Sequence, residues 1–399
     1  MFSFAVIGLL SSSTGVLLPH ISRHYRLTDL HVSLVFLTSP IGYVLAAHSN
    51  DAVHARLGQR GVAALGPLLH LAATLALAFR PPAPFAAVLA AFALAAAGTG
   101  FLDGSWCAWA AGLGGGANAV SGLLHGAFSA GAAGGPVLAG AVVAAGDGRW
   151  SEWYLVLAVF AAMELVVLLC AFKHEDASRY RLANGTGRAP NKSGVKAVLT
   201  HLATWASAAF FLAYVGTETA ISGWVVSFMT RARHATLSAA SLASSGFWTG
   251  MAVGRVALGT VTDRLGVRLA TFIYLLCGMS IEILYIAFKS QAASLVSLTF
   301  LGFFMGPLFP SGVVLLTRLL PREDHITAVS LVASVGQVGG ALLPFGIGAV
   351  VQGLGIGVFQ YAIVVLSFLA MVMWIAFSRI RPTRAITPPE SRDEGEINT

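Results

Sequence analysis

The chain has 399 residues, 56% of them hydrophobic and only 10% charged, with a mean hydropathy of +0.78. A water-soluble domain carries roughly 25% charged residues, so there is too little polar surface here for a soluble protein, and a polytopic membrane protein remains. The net charge of +7 comes from basic residues spread over short loops, a pattern that fits membrane topology and not nucleic acid.

A spanning helix needs roughly 20 mostly apolar residues. Twelve are predicted, at 2–21, 31–49, 61–79, 84–109, 119–145, 153–172, 202–229, 240–260, 268–288, 293–317, 326–351 and 357–378. Met1 stands almost inside the first, as expected of a shortened start. Breaks fall at polar or turn-rich points such as Arg80-Pro81-Pro82 and Gly146 to Trp150, and the run Gly112 to Ala117 leaves the fourth and fifth spans softly divided. Segment 173–196 is predicted to be a polar loop. The expected organisation is a six-helix bundle over 1–172, a cytoplasmic central loop over 173–200, a second six-helix bundle over 201–378 and a disordered cytoplasmic tail over 379–399. Cys107, Cys170 and Cys277 all fall in apolar segments without metal or redox spacing, so they read as packing residues.

Two short motifs recur half a chain apart. Residues 259–268 (GTVTDRLGVR) carry Gly259, Asp263, Arg264, Gly266 and Arg268, and an echo at 51–60 (DAVHARLGQR) keeps Arg56, Gly58 and Arg60 at the same spacing. Ser129, Gly131, Gly134 and Gly135 are matched by Ser334, Gly336, Gly339 and Gly340. The offsets, 208 and 205 residues, nearly agree. Such self-similarity marks a repeat architecture, and a membrane chain of two similar halves can rock one half against the other to alternate access to a central site.

Twelve spans in two sixes, a long central loop and the Gly-x-x-x-Asp-Arg-x-Gly-x-Arg stretch after the eighth span resemble the major facilitator superfamily over essentially the whole chain. The resemblance implies an all-α membrane protein with two pseudo-symmetric six-helix bundles around a midplane cavity, lined mainly by spans 1, 4, 7 and 10. It also implies that Asp263 and its neighbours form a conformational gate on the cytoplasmic side. An acid near a helix N-terminus is favourable by roughly 0.3–1 kcal/mol, enough to bias a two-state equilibrium. The first copy departs from the pattern: Ala55 stands where the acid belongs and Asp51 where the first Gly belongs. The full latch is therefore expected in the second half, with Arg56, Gly58 and Arg60 as its reduced counterpart.

Shorter motifs are similar to the fucose-permease-like branch and its fungal relatives: Leu17-Leu18-Pro19, Gly98-x-Gly100-x-x-Asp103 with Trp106, Leu124-His125-Gly126, Tyr214-x-Gly216-x-Glu218 with Gly223-Trp224, Gly306-Pro307-x-x-Pro310, and Gly339-Gly340 with Pro344. That branch implies uptake of sugars or similar solutes with protons. Gly15 replaces the branch's first-span acid, and Cys107 replaces the Asn that follows its fourth-span acid.

Ionisable groups within a span cost roughly 2.5–3.5 kcal/mol at the bilayer centre and are functional candidates by default. Asp103 and Glu218 are expected to face the cavity, where low dielectric disfavours a charged carboxyl, so that each can load and release a proton. His125 is a candidate relay; Trp106 and Trp224 are candidate stacking surfaces beside the acids. Each has a plainer reading, as an interhelical hydrogen-bond partner or a packing residue. Glu164, Glu282 and His70 are read as structural. Arg255, inside the eighth span, is expected to support the loop network, with contact to a substrate anion as the lesser reading.

The expected function is secondary active transport by alternating access, with a sugar or other small polar solute as substrate and protons as the coupling ion. The alternative is efflux of a hydrophobic small molecule such as a fungal secondary metabolite. No phosphate-binding loop, metal set or catalytic elbow is seen in the sequence, so neither an enzyme nor a cofactor or metal is expected. A signalling sensor on the same scaffold would add longer polar segments. A monomer in the lipid bilayer, plasma-membrane placement and cytoplasmic N- and C-termini are expected, because sixteen Lys and Arg fall on one side and seven on the other, with Arg255 inside a span. With that orientation the sequons at Asn184 and Asn191 face the cytoplasm and stay unmodified. A glycosidase-sensitive band shift, lost when both are substituted, reverses the topology.

Overall fold

The computed structural model describes residues 1–79, 84–111, 117–184, 197–321 and 324–381. A bilayer core offers no hydrogen-bond partners, so apolar spans satisfy their backbone internally as helices. Among the described residues there is no strand. The helices are α1 (Phe2–Tyr25), α2 (Asp29–Val32), α3 (Leu34–Ala78), α4 (Phe85–Ala111), α5 (Ala117–Ala145), α6 (Ser151–Ala171), α7 (Ala177–Asn184), α8 (Leu202–Ala232), α9 (Leu237–Leu265), α10 (Val267–Ala287), α11 (Gln291–Met305), α12 (Leu308–Leu319), α13 (His325–Leu354) and α14 (Phe359–Ser378).

Eleven stretches are long and apolar enough to cross a membrane. The remaining predicted span, the eighth, is α9, whose apolar character is diluted by Arg255, Asp263 and Arg264. Spans two and three, Asp29–Asn50 and Ala52–Ala78, run on as one helix that breaks at Gly58 (φ 70°, ψ −169°). Its counterpart Gly266 (φ 81°) separates α9 from α10. Positive φ is cheap only for glycine, so the repeated loop motif has a backbone reason for this residue in both halves.

The two loops also dock alike. The Arg60 amide donates to the Glu175 carbonyl after α6 (3.0 Å), and the Arg268 guanidinium donates to the Ile380 carbonyl after α14 (2.9 Å). The first dock is tighter, since a side chain at Gly58 would run into the Asp176 backbone, whereas one at Gly266 would meet open space.

Segment 173–196 is not all loop as the sequence suggested. α7 forms there, helped by the Arg179 amide donating to Asp176 Oδ1 (2.9 Å) and by the Glu175–Arg179 pair one turn apart (3.4 Å). Residues 185–196, with Asn191, lie outside the described residues, as do 80–83, 112–116, Arg322, the tail from 382 and the Asp51 side chain.

Glycines let helices touch backbone to backbone. Gly8 and Gly131 join α1 to α5, and Gly339 seats α13 on the Leu212 carbonyl of α8. α9 and α11 interlock through Gly250, Gly254 and Gly302, each facing a carbonyl of the other helix. Overpacking such a seam costs roughly 1–3 kcal/mol or more. Gly254→Val is therefore expected to lower the melting temperature of the purified protein clearly. Gly259→Ala, where nothing lies within 4 Å of the new carbon, is expected to leave it nearly unchanged. Equal melting of the two variants contradicts the seam.

Candidate functional site

Proline chemistry builds one wall of the site. The tenth predicted span is broken at Gly306-Pro307 into α11 and α12. Pro310 has no N–H, so it leaves the Gly306 carbonyl without its helical partner. Arg255 Nε of α9 points at that carbonyl (3.4 Å), and the Tyr214 hydroxyl of α8 donates to the neighbouring Met305 carbonyl (3.2 Å). A side chain at Gly306 would meet the Met251 carbonyl and the Arg255 amide. Only glycine allows this approach.

From that wall Arg255 crosses to the other bundle. Its Nη1 donates to Ser129 Oγ of α5 (2.7 Å), and Nη2 lies 3.4 Å from Met251 Sδ. One turn from Ser129, the exposed His125 stands edge-on to Phe4 at 5.8 Å. It feels the charges of both Asp103 and Arg255. Asp103, half-buried on α4, accepts from the Tyr43 hydroxyl (2.9 Å) and lies 3.7 Å from Cys107 Sγ. Glu218, half-buried on α8, lies within electrostatic reach of Arg255 and Tyr214. The result is one polar row across the bundles: Tyr43, Asp103, His125, Ser129, Arg255, Glu218 and Tyr214.

Three sequence candidates, Asp103, Glu218 and His125, thus share one row. Trp106 and Trp224 do not join it. Trp106 is buried and stacks on Phe172 (4.4 Å between rings), and Trp224 is buried with its Nε1 donating to the Pro344 carbonyl (2.9 Å). Glu164 is buried on α6 against His70 (3.0 Å), which also meets Thr99 (3.1 Å). Glu282 is buried on α10 and accepts from Ser367 (2.6 Å). Both acids lie within single bundles, away from the row.

Arg255 was underrated from sequence: it bridges the bundles and does not support the loop network. The available signal was an arginine in mid-span one turn before the motif. Tyr43 is missed because a lone tyrosine in an apolar helix carries no pattern, and Ser129 stands out only as part of a repeated glycine motif, which does not show that it meets Arg255.

The bundles are sealed on the side away from the loop motifs. Asp29 pairs with Arg231 through both carboxyl oxygens (2.6 and 3.1 Å), and its amide donates to Gln352 Oε1 (3.0 Å). Gly15 meets the Ser222 carbonyl, Gly223 faces the Phe36 ring, Gly348 faces Ser33 and Gly140 faces Ser241. The Val137 amide donates to Ser245 Oγ (3.1 Å) and Trp248 stands edge-on to Phe128. Beyond Ser129–Arg255 toward the loop motifs, no hydrogen bond or ion pair joins the bundles among the described residues. Asp263, Arg264 and Arg268 are exposed there, and no ion pair includes Asp263 or Arg264 among the described residues. The contacts between the bundles among the described residues thus gather on the far side and at Ser129–Arg255.

Helices that span a bilayer, arranged in two related halves with ionisable groups where they meet, fit a membrane transport protein. The chain belongs to the major facilitator superfamily: the family model of that description matches residues 1–228 and 206–397. It is a multi-pass integral membrane transporter and not an enzyme. Bypass of stop codon protein 6 of Saccharomyces cerevisiae is 27% identical over 387 residues, covering 89% of this chain and 77% of that protein. Three solved structures are similar in fold. The bacterial homologue of the human lysosomal transporter Spinster, inward-facing and unoccupied, gives a TM-score of 0.75 at 13% identity and covers 95% of each chain. The nucleoside transporter NupG gives 0.75 at 13%, covering 94% of this chain and 97% of its own. The E. coli fucose:proton symporter FucP gives 0.62 at 14%, covering 95% and 97%.

The far-side ion pair is partly exposed, 18% at Asp29 and 43% at Arg231. Such pairs contribute roughly 0.2–1 kcal/mol. Asp29→Asn is expected to raise the far-side-open population by no more than about fivefold, read by spin-label distances across that face. An unchanged distance distribution removes the latch.

Proposed function

We propose that the protein couples protons to the movement of a sugar or other small polar solute through the cleft between its bundles. The observation that carries this reading is the polar row: two carboxyl groups, a histidine and an arginine around the Ser129–Arg255 contact between the halves. Carboxyls there can exchange protons with whichever side is open, and the row also offers donors and acceptors to a solute. The fucose:proton symporter and the nucleoside transporter among the fold neighbours favour a polar cargo.

The loop residues Asp263, Arg264, Gly266 and Arg268, with Gly259 and with Arg56, Gly58 and Arg60 in the first copy, act in this reading as the gate that closes when the far side opens. The basic excess on that side supports a cytoplasmic placement of the gate, and plasma-membrane location and a monomeric state complete the proposal. Efflux of a hydrophobic small molecule is the second reading. It draws on Gly15, which replaces an acid and has no room for a side chain against Ser222.

Reconstitution in liposomes with a pH gradient and a panel of radiolabelled sugars and nucleosides tests the assignment. Asp103→Asn and Glu218→Gln are each expected to lower gradient-driven uptake at least about a hundredfold while leaving exchange less affected. Gradient-driven uptake that survives both changes refutes the two-acid site. Solute leaving when the outside is acidified points to efflux.

A further inference from the structure

We infer that Arg255 is an oxyanion site and that the cargo carries a carboxylate or phosphate, entering together with a proton on Glu218. The inference rests on the transport reading above and narrows its substrate class to acidic polar solutes.

Arg255 is half-buried in mid-span, and every acceptor it meets is neutral: the Ser129 hydroxyl, the Gly306 carbonyl and the Met251 thioether. No carboxylate oxygen lies within 4.0 Å of its guanidinium among the described residues. A cation inside a bilayer normally pairs with an anion. Here the neighbouring acids do not pair with it, since Asp103 is engaged by Tyr43 and Glu218 stands near without forming the ion pair. The wall holds the fork by its Nε through the carbonyl that Pro310 frees, so the guanidinium stays at the meeting of the bundles. A guanidinium is planar, permanently charged and matched to two oxygens of a carboxylate or phosphate.

The charges facing Arg255 set the coupling. They are Asp103 on α4, His125 on α5, and Glu218 with the Tyr214 hydroxyl on α8. An ionised Glu218 both neutralises the arginine and repels an incoming anion. A protonated Glu218 does neither. Proton and anion therefore load as a pair, the proton on the Glu218 carboxyl and the oxyanion on Arg255, and both leave when Glu218 ionises. No covalent bond changes. The Ser129 hydroxyl, now bound to Nη1, is the group an oxyanion displaces or shares. Because Ser129 belongs to the opposite bundle, the bound anion sits where it can sense both halves.

Matched probe pairs test this on the full-length protein in detergent: D-glucuronate against D-glucose, and sn-glycerol 3-phosphate against glycerol. Thermal protection is read at acidic and neutral pH, and the pair that responds tells carboxylate from phosphate. At least one acid is expected to protect at acidic pH while its neutral partner does not. Arg255→Gln is expected to abolish that preference, Arg255→Lys to weaken it about tenfold, and Glu218→Gln to make it independent of pH. If Arg255→Gln does not fold, the Glu218→Gln arm decides. The inference is overturned if neutral partners protect as well as the acids, if no probe protects, or if Glu218→Gln keeps the full pH dependence. Gradient-driven uptake of glucose alone sinks the oxyanion site and leaves transport standing. Binding of glucuronate without uptake under any gradient does the reverse.

Discussion

A bilayer core supplies no hydrogen-bond partner, so a backbone group freed inside it must find one within the protein. The structure turns on how that constraint is met at Gly306-Pro307-x-x-Pro310. Pro310 strands the Gly306 carbonyl, Arg255 takes it, and Tyr214 takes the Met305 carbonyl beside it. A cation is thereby held in mid-span, where its charge would otherwise be expelled. The same side chain reaches Ser129 and links the two bundles. Helix break, mid-span cation and bundle contact therefore meet at one point.

The two halves obey the same local physics with different outcomes. Gly58 and Gly266 both adopt positive φ, and both loops dock on the segment after the last helix of their bundle. The first loop is wedged against Glu175 and Asp176 and has Ala55 in place of the motif acid, whereas the second is open around Gly266 and keeps Asp263 exposed. In the proposed gate the first loop would stay docked while the second makes and breaks charge contacts, an asymmetry that would bias a two-state equilibrium without locking it.

Much of the site could be read from the chain because charge is costly in lipid. Asp103, Glu218 and His125 stand out against apolar helices; His125 feels the charges of Asp103 and Arg255, and Glu218 that of Arg255, with no ion pair among the three in the described residues. Trp106 and Trp224 were named for being near the acids along the helix. A residue three or six positions away sits on another face, however, and both rings turn into packing with Phe172 and Pro344. Tyr43 went unremarked because hydroxyls are cheap enough in a membrane helix to carry no signal. Arg255 stands out as well, but its partners, Ser129 of α5 and Gly306 at the end of α11, are far away in sequence.

By itself the sequence determined the apolar spans, the duplication and the breakpoints, since these follow from hydropathy, spacing and the fixed chemistry of glycine and proline. It also determined which ionisable residues must be explained. Only the tertiary structure decided which of them lie near one another, which side is sealed by Asp29 and Arg231, and that Arg255 has no ionic partner among the described residues. Those facts depend on the rotation of each helix about its axis and on the closeness of two bundles. Glycine contacts between residues more than a hundred positions apart set both.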